Sequence, residues 1–137
     1  MGDAAHATTP FHGQGAGQAI EDALTICDLF SQVKTVGDIP LAFAAYDAVR
    51  RPRGNRNVTG SRKTGKIASL LDPEHPNVEE IAAGFAPRMM WLWTRDMVEQ
   101  SQEAVDLFRK SKRGDCVQQP TVLVDEHTRL VSGLEKT

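Results

Sequence analysis

An acid, a proline and three alternating glycines open this chain, and their spacing suits a group that presents an electron-rich edge. Asp3 follows Gly2 in Gly2-Asp3-Ala4-Ala5-His6, Pro10 comes next, and Gly13, Gly15 and Gly17 alternate through Gly13-Gln14-Gly15-Ala16-Gly17-Gln18. Glycines packed that closely let backbone approach a ligand where a Cβ would collide. The periodic segment behind them predicts a helix from about Gly17, with its first amides unpaired and facing the loop. Such amides, with the positive end of the helix dipole, about half an elementary charge, seat an anion or a ring edge. The competing reading is a glycine-rich turn that only turns. Two phosphate motifs fail. A dinucleotide fingerprint needs a glycine where Gln18 stands and an apolar strand ahead, and a P-loop needs a lysine long before Lys34.

Other chemistry is thinner. Asp3, His6 and His12 lack the spacing of a helical His pair, since Pro10 and glycines interrupt the stretch, so a metal site is not expected. The cysteines, Cys27 and Cys116, have no metal-like spacing; buried free thiols in a reducing compartment are expected. Neither has an obvious base partner, and no Gly-x-Ser-x-Gly elbow occurs. Seven basic residues and no acid lie between Arg50 and Lys66. Without interleaved aromatics, and with Gly54, Gly60 and Gly65 among them, they read as a solvated, partly helical arm rather than a nucleic-acid surface. A formal net charge of −2 favours neither nucleic acid nor an anionic membrane as a partner. No secretory signal or membrane-length apolar run is seen, which predicts a cytoplasmic protein.

The elements that must hold the opening loop are helical. Ile20, Ala23, Leu24, Cys27, Phe30 and Val33 form an apolar stripe predicting a core-facing helix to about Gln32, with Glu21 and Asp22 as helix-start electrostatics. Asp38 is an expected N-cap and Pro40 falls in the next first turn, with Leu41, Ala44, Ala45, Ala48 and Val49 as a second stripe. Pro52 is expected to end or kink that helix. Beyond the loop Asp72–Pro76, Asn77 and Glu80 form a capping box for a helix interrupted at Pro87. The cluster Met89–Trp93 reads as core rather than an aromatic ligand wall. A last helix, about Thr94 to Lys110, carries Val98, Ser101, Val105 and Phe108 on one face. After it, Thr121–Val124 and Leu130–Val131 suggest a weak hairpin or a disordered tail.

The opening residues, through Glu21-Asp22-Ala23, resemble the second flavin-binding motif of the single-component FAD-dependent aromatic hydroxylases, in particular the salicylate hydroxylase-like flavoprotein monooxygenases. The likeness extends more loosely through Tyr46, Arg50-Arg51-Pro52-Arg53 and Trp91-Leu92-Trp93 to about residue 110. It implies FAD as cofactor, with Asp3 on the ribityl chain, Pro10 near the reactive flavin edge and the amides of Gly15, Ala16 and Gly17 on the pyrimidine edge. Gly2 and Gly13 complete the cofactor-binding set, and no catalytic side chain is implied. It further implies NADH or NADPH as co-substrate and a small aromatic acid as substrate. Because Met1 stands directly before Gly2, the resemblance implies a mainly α, C-terminal fragment of four or five helices from an α/β fold. Residues 1–110 form its FAD-contacting part and 111–137 a divergent tail. Most of the parent sheet is missing, and the fragment is expected to be inactive alone, its partner being the missing N-terminal half. The alternative is a non-enzymatic helical remnant or interaction module that needs a partner chain.

Overall fold

A computed structural model describes residues 1–69 and 78–114, which hold helices and no strand. A single turn, α1 (Asp3–His6), and a 3-10 turn (Pro10–His12) lead into α2 (Gly15–Gln32). A second 3-10 turn (Val36–Asp38) opens the long α3 (Ile39–Ala68), followed by α4 (Val78–Trp93) and α5 (Met97–Lys112). The loop around Pro73, the Asn77 capping box, Cys116 and the suggested hairpin lie outside the described residues.

Helices α2, α3 and α5 pack around Leu29, Ala42, Ala45, Ala104, Val105 and Phe108, with Val33, Leu41, Tyr46 and Val49 at the margin. Turn chemistry sets their ends. Thr35 and Asp38 form a reciprocal capping box on the 3-10 turn. Asp38 therefore caps backwards, accepting from the Lys34 and Thr35 amides, instead of capping α3 as the sequence suggests. Its second role is a 2.7 Å ion pair with Lys112 of α5. Asp96 caps α5 by accepting from the amides of Val98 and Glu99.

Burial on α2 and the course of α3 depart from the sequence expectations. Helix α2 begins two residues earlier than expected. Ile20 is 71% and Phe30 39% exposed, Ala23 and Cys27 are exposed, and the buried residues are Gln18, Asp22, Thr25 and Leu29. The polar face turns inward because each of its polar side chains finds a partner inside, which removes the penalty for burying it. Cys27 is consequently an exposed thiol rather than a buried one. Pro52 does not end α3; Arg50 and Arg53 are buried while Arg51, Arg56, Arg62, Lys63 and Lys66 are exposed, so the basic segment is helical and only partly solvated. The helix runs on for four more turns because Arg50, Arg53, Asn57, Ser61 and Thr64, spaced along one helical face, are all buried against the opening loop and α2. A proline removes one helical bond; that tertiary face outweighs it. Pro87 likewise lies inside α4. In the Met89–Trp93 cluster only Met89 and Leu92 are buried, whereas Met90 and Trp93 are exposed.

Candidate functional site

The opening loop lies along α3, and three glycines of that helix make room for it. An added Cβ on Gly54 would meet the His6 ring at 3.1 Å, one on Gly60 would meet His12 Cε1 at 2.7 Å, and one on Gly65 would collide with the Phe11 ring. Side chains between those glycines fasten the loop. Ser61 donates to the Thr9 carbonyl at 2.6 Å and accepts from the His12 amide at 3.2 Å. The buried His12 ring donates from Nδ1 to Asn57 Oδ1 and accepts at Nε2 from the Thr64 hydroxyl, both at 3.0 Å. Asn57 keeps its Nδ2 buried and without a hydrogen bond.

The loop then delivers the start of α2. Gly13 adopts a left-handed conformation (φ 63°) that closes the 3-10 turn, where a side chain would be strained. The first helical bond of α2 runs from Gln18 N to the Gln14 carbonyl. The amides of Gly15, Ala16 and Gly17 thus precede any intrahelical acceptor, and Gln14 makes no side-chain cap to them. Its carboxamide lies beside Gly17, 2.7 Å from where a Cβ would be. Pro10 is exposed at the head of the 3-10 turn, and Asp3 is exposed as the first residue of α1.

Beneath this surface sits a buried ionic hub. Asp22 of α2 is fully buried and accepts from the Gly2 amide (2.9 Å), His6 Nε2 (2.7 Å) and Arg50 Nε (2.9 Å). Arg50 directs its other donors to Glu21, Gln100, the Gln18 carbonyl and Gln18 Oε1 at 2.6–3.2 Å, so its whole guanidinium is satisfied. Arg53 grips Glu21 through two bonds, at 2.7 and 2.9 Å, and also donates to the Leu92 carbonyl at the end of α4. Burial resists ionisation of Asp22, yet the Gly2, His6 and Arg50 bonds prevail and hold it below the ordinary carboxylate range. Glu21 behaves the same way: burial opposes its charge, and Arg53 and Arg50 outweigh the burial. The neighbouring Tyr46 phenol is pushed up, by burial first and then by the Asp22 charge.

The sequence-derived set is therefore brought together in part. Gly13, Gly15, Ala16 and Gly17 form one cap, and Gly2 is tied to the same helix through Asp22. Glu21 and Asp22, read from the sequence as helix-start electrostatics, are instead the acids of the hub. Sequence reasoning missed Arg50, Arg53, Asn57, Ser61 and Thr64; their helical spacing through a segment rich in glycine was the available signal. A cavity of about 550 Å³ between α3 and α4, lined by His12, Arg56, Lys63, Thr64, Arg88 and Trp91, adjoins the loop. Arg56 stacks 4.2 Å from the Trp91 ring centre there. Among the described residues no cluster of His, Cys, Asp and Glu could hold a metal, and no helix is long and apolar enough to cross a membrane.

A family described as an FAD binding domain matches residues 1–61, the segment that contains the cap, the loop and most of the hub. The chain is 45% identical over 112 residues to 6-methylsalicylate 1-monooxygenase of Aspergillus terreus, covering 79% of this chain and 24% of that protein. It is 38% identical over 106 residues to a salicylate hydroxylase of Pseudomonas putida, covering 76% of this chain and 24% of the relative. Over 67 residues it is 42% identical to 3-hydroxybenzoate 6-hydroxylase of Klebsiella oxytoca, covering 49% and 16%. No solved structure matches. These matches support an FAD-dependent aromatic monooxygenase family, with FAD as its cofactor. The chain spans about a quarter of the length of the first two relatives.

Proposed function

We propose that this chain forms the isoalloxazine-facing part of an FAD-dependent, NAD(P)H-using monooxygenase that hydroxylates a small aromatic acid, as a salicylate hydroxylase does. The observation that carries the reading is the row of unbonded amides at Gly15, Ala16 and Gly17, which lies inside the FAD-matched segment. The residues suit the group: they offer N–H donors, a left-handed Gly13 and no acid in the first turn of α2 to oppose a negative ring edge. FAD, when bound, supplies the redox and oxygen chemistry, and the protein supplies position and electrostatics. Asp3 holds the ribityl chain and Pro10 shapes the flavin edge. The dipole of α2 stabilises negative charge at the pyrimidine edge by about 0.3–1 kcal/mol, and up to ~2 where partly buried.

The chain acts in this reading as the C-terminal part of an α/β fold, completed by a dinucleotide-binding half and inactive without it. The outward stripe of Ala16, Ile20, Ala23, Cys27 and Phe30 supports such a partner, since it runs from the cap along the whole of α2. That same stripe favours a second reading, a helical interaction module with no enzymatic role. Flavin titration separates the two. The full chain is mixed with the non-matching three-quarters of the Pseudomonas putida relative and titrated with FAD, following absorbance and fluorescence. Saturable binding that Asp3→Ala weakens supports the flavin reading; an unchanged spectrum removes it.

A further inference from the structure

The hub under the cap joins the opening turn, α2 and α3 through one carboxylate, and that arrangement has a consequence for the cofactor site. Asp22 stands seven residues beyond Gly15, about 10 Å of helix, and no acid lies between them except Glu21. Its Oδ2 receives the Gly2 amide and the His6 ring, and its Oδ1 receives Arg50. Arg50 in turn holds the first turn of α2 through the carbonyl and side chain of Gln18 and reaches α5 through Gln100. The Gly2 carbonyl accepts from the Ala5 and His6 amides within its own turn, and Asp22, through the Gly2 amide and the His6 ring, ties that turn to α2. The Gly2 backbone (φ 58°) turns the chain into Asp3.

We infer that Asp22 is a positioning residue for the flavin site, holding Gly2 and Arg50 so that Asp3 and the open amides of Gly15–Gly17 form one rigid frame. This rests on the flavin reading above. The two acids and two arginines, Glu21, Asp22, Arg50 and Arg53, balance in charge, so the hub fixes the cap without cancelling its positive end. An amide at position 22 cannot replace the acid. Asn has one acceptor oxygen, so its NH2 must face either Arg50 Nε or the Gly2 amide, and one donor loses its acceptor.

The test is FAD titration of the full chain with its dinucleotide-binding half, using Asp22→Asn and a control matched for burial. Ser101 is fully buried and donates to Asp28 of α2 at 2.6 Å, far along the helix from the cap. Ser101→Ala therefore weakens the α2–α5 contact without touching the frame. Asp22→Asn is expected to weaken FAD binding about ten-fold or more and to speed amide exchange over residues 2–18. Ser101→Ala is expected to lower stability while FAD affinity stays within about two-fold of wild type. If Asp22→Asn does not fold, Gly2→Ala serves: its methyl meets no atom within 4 Å, but the positive φ is strained. It should weaken FAD with little change in melting. A folded Asp22→Asn or Gly2→Ala with wild-type affinity overturns the inference, as does Ser101→Ala weakening FAD equally. A wild-type protein that takes up no flavin overturns the flavin reading and this inference together.

Discussion

Replacing Gly60 by alanine puts the packing of the loop on α3 to a quantitative test. The added methyl would stand 2.7 Å from His12 Cε1, 3.5 Å from Nε2 and 3.6 Å from Nδ1. The ring cannot swing aside cheaply. It is held at both nitrogens by Asn57 and Thr64, and the His12 amide is held by Ser61. Overpacking of this kind costs about 1–3 kcal/mol, and each ring bond broken to relieve it costs about 0.5–1.5 kcal/mol. Alanine regains about 1 kcal/mol of helix propensity over glycine. The expected net effect is destabilisation by about 1–2 kcal/mol, read from urea denaturation. In a His12→Ala background the methyl has room, so Gly60→Ala should there stabilise by up to about 1 kcal/mol. The cycle should therefore show a coupling of about 2–3 kcal/mol. A Gly60→Ala protein as stable as wild type, or a cycle without coupling, would refute the reasoning.

Other perturbations probe the hub and the helix ends. Arg50→Ala leaves Asp22 buried without its main cation and should cost about 3–5 kcal/mol in a denaturation experiment; a loss under about 1 kcal/mol would contradict the hub. Asp22 and Glu21 are held below their ordinary range, and Asp38 is lowered to about 2 by Lys112 and the Lys34 and Thr35 amides. Depressed carboxylates contribute stability above their unfolded pKa and lose it as pH falls through the folded value. Stability measured against pH should thus be level near neutrality and decline below about pH 4, whereas a maximum at acid pH would reverse the sign. Asp96→Ala removes the cap on Val98 and Glu99 and should cost about 1 kcal/mol, seen as a lower urea midpoint; no shift would show the cap to be idle.

The loop, the start of α2 and the helical content were legible because they depend on local rules: glycine spacing, unpaired amides and periodicity. The direction in which α2 faces was not. Ile20, Cys27 and Phe30 form a better apolar stripe than Gln18, Asp22, Thr25 and Leu29, and hydrophobicity alone would bury the former. What reverses the choice is Arg50, 28 residues from Asp22, a pairing that no periodicity records. The continuation of α3 through Pro52 was hidden for the same reason. Its glycines looked like breaks, but Gly54, Gly60 and Gly65 are the sites where His6, His12 and Phe11 come closest.

The most direct measurement is the amide spectrum of isotopically labelled protein, with its dinucleotide-binding half, as FAD is added. The largest shifts should fall on Gly15, Ala16 and Gly17, with smaller ones at Asp3 and Gly13. Shifts confined to the cavity around Arg56 and Trp91, or none at the start of α2, would contradict the assignment of that helix end to the flavin.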